Sequence, residues 1–323
     1  MNKQKILVTG GAGFIGSHLV DALLDYGHHV ICLDSFDDFY PIFCKEENIK
    51  EHLTSKNYLL IKGDISNKNF IIKTFHEIQP EIVIHLAARA GVRPSVENPI
   101  NYENTNIKGT INLLEAAVKH GVKKFINGSS SSVYGLNRSI PFRESDPLNQ
   151  IASPYAASKL AAEAFCHAFN NIYKLPIINL RFFTVYGPRQ RPDLAIRKFM
   201  IRILNNESIS IYGDGGTSRD YTYVEDVVSG ILKAVEYKDK DYDIFNLGNS
   251  SPIKLIDLVR KIEKAIGKEA IIKFEPIQKG DVPITFADIT KSKKQLGYAP
   301  NTSLDEGLKI MANWLLDNQN LKN

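Results

Sequence analysis

The sequence predicts an α/β fold built on a doubly wound parallel sheet, with a smaller α/β region toward the C-terminus. Three observations predict it. Short, nearly continuous apolar runs alternate with amphipathic stretches through the first half, a glycine-rich turn directly follows the first run, and the pattern changes after about residue 180. A chain of 323 residues suggests about two domains and is long enough to bury a full core.

The runs Ile6-Leu7-Val8, Val30-Ile31-Cys32-Leu33, Tyr58-Leu59-Leu60-Ile61, Ile82-Val83-Ile84 and Phe125-Ile126 are each too short for a helix. Continuous apolarity over so few residues is the mark of strands buried on both faces. The clearest helical pattern between them puts Ile107, Ile111, Leu114 and Val118 on one face and stops at Gly121, a C-cap. Strands alternating with helices at this spacing imply parallel pairing. Beyond residue 180 the loops lengthen, as at 186–192 and 212–216, and helical patterns recur at 255–266 and 304–316.

Composition narrows the function classes. Forty Lys+Arg against 36 Asp+Glu leave a formal charge of +4, too small over this length to argue for nucleic acid but compatible with small anionic ligands. Cys32, Cys44 and Cys166 are odd in number, far apart and free of CxxC spacing, so they read as free thiols in a reducing compartment. The eight histidines show no metal-ligand spacing, His28-His29 falls in a loop after Gly27, and His85 reads as a core or strand-end residue. No apolar run approaches the roughly 18 residues of a membrane span. The N-terminal MNKQKILVTGGAGFIG carries glycines where a signal peptide needs an unbroken apolar stretch, so a cytoplasmic protein is expected.

Thr9-Gly10-Gly11-Ala12-Gly13-Phe14-Ile15-Gly16 follows the first strand and opens a helix. One glycine turns the chain, one lets the backbone approach a pyrophosphate and one permits close helix–strand packing. The helix N-terminus meanwhile offers its unpaired N–H groups to the anion. Glycine-rich turns also arise for steric reasons alone, but here the strand–turn–helix context is right. Asp34 ends the second strand, where a carboxylate can hold ribose hydroxyls and repel a 2′-phosphate, favouring NAD over NADP. Asp64-Ile65 and Leu86-Ala87-Ala88 follow the third and fourth strands, at the edge where open α/β sheets bind ligands; Asp64 could equally cap the next helix.

Tyr155 and Lys159 lie four residues apart at the start of an alanine-rich helix, so phenol and ammonium share a face. A nearby ammonium favours the phenolate and is expected to lower the tyrosine toward a useful range. The run Ser129-Ser130-Ser131-Ser132 follows the fifth strand and can supply hydroxyls that share the proton. A solvated helix face and a polar loop end are the alternatives for these residues; their company with the glycine turn argues for chemistry.

These motifs, with HLAARAGVRPSVENP, the block 104–110, SSSSVYG, YAASK, RFFTVYGPRQRPDLA, GDGGTSRDYTYVEDV and KGDVPITFAD, make the chain resemble extended short-chain dehydrogenases/reductases of the nucleotide-sugar epimerase/dehydratase family. The resemblance implies an NAD-binding Rossmann domain over 1–180, with about 222–250 returning to it, and a partly interleaved nucleotide-sugar domain over 181–323. It further implies Tyr155 as base, Lys159 as its partner and ribose ligand, and Ser130 as the proton-sharing hydroxyl. Gly10, Gly13, Phe14, Ile15, Gly16, Asp34, Asp64, Ile65, Leu86, Ala87, Ala88 and Asn106 would contact NAD. Arg219 and Arg191 would meet the UDP phosphates and Asp281 the uridine ribose. Arg89 stands where a Gln is common and is a further candidate near the sugar, while Arg93 is a candidate for an anion. A homodimer is expected, paired through the 107–118 and Tyr155 helices.

By the same resemblance, all members first oxidise C4 of the sugar and then diverge. Dehydratases carry Asp and Glu in the two positions after the serine; here Ser131 and Ser132 stand there, so dehydration is not expected. Without that machinery the ketone can turn over and take the hydride back, which is 4-epimerisation. The motifs look most like UDP-glucuronate 4-epimerases. Thr184 and Gln278 replace the Asn and Arg of the UDP-glucose branch, and hydroxyls of Ser130, Ser131, Ser132 and Thr184 could hold a C6 carboxylate. A UDP-glucose/UDP-galactose or N-acetylhexosamine 4-epimerase is the second reading. A non-catalytic NAD-sensing protein is the third, against which Tyr155, Lys159 and Ser130 all stand.

Overall fold

The structure, a computed structural model, describes residues 3–276 and 282–318. Its strands are β1 (Lys5–Thr9), β2 (His29–Asp34), β3 (Tyr58–Lys62), β4 (Ile82–His85), β5 (Lys124–Ser130), β6 (Ile177–Phe182), β7 (Thr184–Tyr186), β8 (Ser208–Tyr212), β9 (Ser218–Tyr223), β10 (Tyr242–Leu247), β11 (Pro252–Lys254) and β12 (Ile271–Glu275). Seven of them form one sheet in the order β10-β6-β5-β4-β1-β2-β3, parallel throughout. All five apolar runs singled out in the sequence are strands of this sheet, but the third, β3, is not buried on both faces as expected: it is the edge strand, paired on one side only, and Leu59 is 51% exposed. Ile6 and Val8 join one apolar cluster and Leu7 the other, so successive side chains of β1 feed cores on opposite faces.

The chain leaves β1 toward β2 and β3 on one side, then crosses to β4, β5 and β6 on the other. That reversal opens a crevice between the β1 and β4 loops at the carboxyl edge, where such sheets bind ligands. Past residue 180 the chain contributes β10 to the same sheet. It otherwise builds a three-stranded sheet, β11-β9-β7, and a β12-β8 pair that border the crevice.

The helix expected around residue 111 spans Gly109–Lys119, preceded by a π-helical turn over Glu103–Lys108. Gly121 ends it with φ +66°, a conformation that glycine adopts without strain. Its buried stripe is Thr110, Leu113, Leu114 and Ala117, whereas Ile107, Ile111 and Val118 are half-buried. The helix lies between Lys68–Ile78 and Pro154–Tyr173, and its Leu113 and Leu114 share an apolar cluster with Leu7, Val83 and Phe125 of the sheet, which turns its apolar arc away from the expected face. His29, expected in a loop, opens β2, and the helices at 255–266 and 304–317 match expectation. The helix Pro154–Tyr173 starts where Ser153 Oγ accepts the Ala156 N–H at 3.1 Å and Pro154 pre-sets the first turn.

Asp220 on β9 joins the smaller sheet to the large one. Its buried carboxylate accepts backbone N–H groups from Asn249 (2.9 Å) and Ser250 (3.0 Å), just past β10, and from Ala287 (2.9 Å). Asp220→Ala would leave three donors unpaired, one buried and two half-buried, and we expect it to lower unfolding free energy by about 2 kcal/mol in urea titrations.

Candidate active site

The crevice is a single cleft of about 1080 Å³. At its floor the glycine turn makes contacts that side chains would block. A Cβ on Gly16 would lie 2.1 Å from the Gly10 carbonyl oxygen, and one on Gly10, at φ +72°, would lie 2.7 Å from the Ala87 nitrogen. Gly13, the N-cap of the helix Phe14–Asp25, contributes no side-chain hydrogen bond, so the first N–H groups of that helix have no capping side chain. A close backbone turn at an uncapped helix start fits a dinucleotide pyrophosphate.

Gly10, Gly13, Phe14, Ile15, Gly16, Asp34, Asp64, Ile65, Leu86, Ala87 and Ala88 all line this cleft. Asp34 accepts the N–H groups of Ala12 (3.2 Å) and Phe36 (2.9 Å), and Lys45 Nζ stands 3.6 Å from it. Lys45 also lines the cleft; no motif pointed to it, because it reaches Asp34 from a separate helix, Ile42–Ile49. Asp64 does not cap the next helix. Asn67 does, accepting the Phe70 N–H at 3.1 Å, while Asp64 accepts that of Ser66 and faces solvent. Asn106 stands apart from the cleft wall. Its buried amide is taken up by the Arg89 backbone N–H (2.8 Å), the Arg89 carbonyl (2.9 Å) and Ser158 Oγ (2.9 Å), so it holds the β4 loop against the Tyr155 helix.

At the cleft centre the structure brings together Tyr155, Lys159, Ser130, Ser131, Ser132 and Thr184. Ser130 Oγ donates to Ser132 Oγ at 3.1 Å and accepts the Ser132 N–H at 3.2 Å. Tyr155 packs edge-on against Tyr102 at 6.1 Å. The expectation that Lys159 lowers the phenol needs correction. Burial raises Tyr155 above its ordinary value, and the groups that oppose this are the Ser130 hydrogen bond and the positive charge of Arg191. Lys159 points its ammonium at the Gly128 carbonyl, 2.7 Å away on β5, and burial brings it down to about 8.

The arginines divide. Arg89 pairs with Asp37 (2.5 Å) across the mouth, joining the loops after β2 and β4. Arg191 is held bidentately by Asp193 (2.9 and 2.7 Å) and lies over the Phe39 ring at 5.2 Å. Arg93 lies over Tyr212 at 4.6 Å, and Arg219 on β9 lines the far end with its Nη1 donating to the Ser218 carbonyl. Asp281 and Gln278 lie outside the described residues. Among the described residues no group of three or more His, Cys, Asp or Glu is placed to hold a metal ion.

The sequence matches the family described as GDP-mannose 4,6 dehydratase over residues 7–311. The chain is a nucleotide-sugar epimerase/dehydratase of the short-chain dehydrogenase/reductase class. This family member is 41% identical over 313 residues to the UDP-glucuronate 4-epimerase of Thermodesulfobacterium geofontis, covering 97% of this chain and 96% of that protein. Its fold matches the UDP-glucuronic acid 4-epimerase of Bacillus cereus, solved with UDP-glucuronic acid and NAD, at TM-score 0.91 and 37% identity, covering 97% of this chain and 99% of that one. It also matches the UDP-glucose 4-epimerase of Thermotoga maritima, solved with UDP-glucose, at TM-score 0.89 and 37% identity, with 97% and 99% coverage.

Because the Gly16 clash is with backbone, it cannot be relieved by a rotamer change. Gly16→Ala is therefore expected to weaken NAD binding by roughly tenfold or more in calorimetric titration, with Tyr155 and Ser130 untouched.

Proposed function

We propose that this family member is an NAD-dependent UDP-sugar 4-epimerase whose substrate is UDP-glucuronate, converted to UDP-galacturonate. The observation that carries the reading is that Tyr155 and Ser130 share one cleft with the glycine cradle and with a row of neutral hydroxyls, Ser131, Ser132 and Thr184. NAD⁺, when bound, supplies a hydride acceptor that can give the hydride back.

The chain's own residues do the rest. Tyr155 Oη, as the phenolate, takes the proton from the sugar O4 as C4 gives up its hydride, and Ser130 Oγ hydrogen-bonds that phenolate before the transfer and shares the proton after it. Lys159 would hold the cofactor ribose, and the positive charge that opposes burial of the phenol comes from Arg191. The 4-keto sugar then presents its other face, C4 is refilled, and Tyr155 returns the proton to O4, so no net oxidation occurs. Ser131 and Ser132 offer neither acid nor base for eliminating water across C5 and C6. With Thr184 they are placed to hydrogen-bond the C6 carboxylate without concentrating cations on it.

Asp34 with Lys45 takes the adenosine ribose end, and Arg219 and Arg191 take the diphosphate. Residues 1–180 with about 222–250 form the cofactor unit, and the rest of 181–323 forms the sugar-nucleotide unit. That division is supported by β10 joining the large sheet while β7, β9 and β11 form their own. Half-exposed Phe165, Ile172 and Tyr173 on the Tyr155 helix support a homodimer. The three buried, unpaired cysteines support a reducing, cytoplasmic location. Among the described residues no helix is long and apolar enough to cross a membrane.

Purified protein incubated separately with UDP-glucuronate, UDP-glucose and UDP-N-acetylglucosamine, without reductant, is expected by NMR to yield UDP-galacturonate from the first. Conversion of UDP-glucose alone would instead establish the second reading, which the similarity to the Thermotoga maritima enzyme favours. Pentose would indicate decarboxylation, and solvent deuterium at C5 would indicate elimination. Tyr155→Phe should lower turnover by about a thousandfold or more while NAD affinity stays within a fewfold of wild type.

A further inference from the structure

Beneath the proposed proton machinery lies a buried group that the mechanism above leaves idle. Glu163 sits on the Pro154–Tyr173 helix one turn after Lys159, and Ser129, Glu163 and Arg181 are each no more than 3% exposed. Its Oε1 accepts from Ser129 Oγ at 2.5 Å and from Arg181 Nε at 3.0 Å, and its Oε2 accepts from Arg181 Nη2 at 2.8 Å. Ser129 and Arg181 face each other across β5 and β6. Arg181 Nη1 goes on to Tyr134 Oη at 3.0 Å, which donates to Asn246 Oδ1 at 2.7 Å.

We propose that Glu163 is a positioning residue for the reaction: it locks Ser129, and through it the neighbouring Ser130, and it is the counter-charge that keeps the Lys159 ammonium in place. The inference rests on the reading of Tyr155, Ser130 and Lys159 given above. Successive strand residues point to opposite sides, so clamping Ser129 toward the helix fixes which way Ser130 faces. A buried ion pair is a poor stabiliser by itself, because apolar residues of the same volume would do as well or better. This pair is instead placed to fix the carboxyl ends of two strands under the serine run, beside the one ammonium buried there.

The groups facing Lys159 are Glu163 and Cys166 on its own helix, the Gly128 carbonyl of β5 and His85 of β4. Those facing Glu163 are Ser129, Arg181, Lys159, Cys166 and, from β10, Tyr242. Glu163 is the group among them that raises Lys159 most, against its burial. Removing its charge leaves the ammonium less supported, so Lys159 loses its proton at lower pH.

The test uses Glu163→Gln and the double variant E163Q/R181M, which removes both charges and leaves no arginine uncompensated. Turnover is measured against pH on NAD-loaded protein, and the titration of Lys159 is followed separately by competitive acetylation read by mass spectrometry. In Glu163→Gln the alkaline limb and the acetylation midpoint are expected to move down by about one pH unit, and in the double variant, which also loses the Arg181 cation, by less. In both, kcat at neutral pH should fall roughly tenfold with KM within twofold, as for a misplaced catalytic group. An unmoved limb and midpoint, or failure of both variants to fold, would overturn the proposal. If wild-type protein turns over no UDP-sugar, the functional reading fails, while the acetylation midpoint still decides whether Glu163 supports Lys159.

Discussion

An ammonium taken out of water is among the costliest things a fold can hold, and Lys159 is 7% exposed. The site is arranged around that cost. The Gly128 carbonyl of β5 accepts one hydrogen bond, and Glu163, one turn along the helix, carries the opposing charge. His85, the neighbour on β4, is tied to Thr9 Oγ1 (2.8 Å) and Thr110 Oγ1 (3.0 Å) and pulled down to about 3, so it stays neutral. Burial pushes the Cys166 thiol up, so it stays neutral too. Because Lys159 titrates lower folded than unfolded, between about 8 and its ordinary 10.5, the folded state holds fewer protons in that window and stability rises with pH across it. At neutral pH the buried charge therefore weighs against folding, which is the sign expected of a group kept for chemistry.

Three other cations of the cleft are balanced on the spot. Lys45 stands against Asp34, Arg89 against Asp37 and Arg191 against Asp193. Such pairs keep the crevice from becoming a nonspecific anion trap, and they let a ligand's oxygens compete for a guanidinium already held in a fixed orientation. Phe39 lies beside both Arg89 (6.0 Å) and Arg191 (5.2 Å), so the loop after β2 packs over the mouth on both cations.

What could be read in the sequence was what local pattern determines. Four of the five strands show as apolar runs because they are central and covered on both faces; β3 carries an equally apolar run but is the edge strand, with Leu59 51% exposed. The glycine turn shows because only glycine tolerates the Gly10–Gly16 and Gly10–Ala87 approaches. Tyr155 and Lys159 show because one helix carries both. The residues that stayed hidden act across elements. Lys45 reaches Asp34 from another helix and Glu163 is defined by Arg181 on a strand; Asn106 is named by its motif, but its turn to the Arg89 backbone instead of the cleft is not visible there. The phenol was misjudged for the same reason. Helical spacing shows that Tyr155 and Lys159 share a face, but not that the ammonium bends to Gly128 or that Arg191 arrives from the loop after β7.

On the proposed reading, one scaffold can run three reactions from a common 4-keto sugar, and the charge around C6 chooses among them. Elimination needs an acid and a base on the two residues after Ser130, where this chain has two hydroxyls. Decarboxylation is helped by cations that draw electrons from the carboxylate into the ketone. The cleft arginines Arg89 and Arg191 are already matched to carboxylates. A neutral row of Ser131, Ser132 and Thr184 can bind the carboxylate and orient it without stabilising either departure. Return of the hydride is then the remaining route for the ketone, and stereochemistry at C4 is decided by which face it presents.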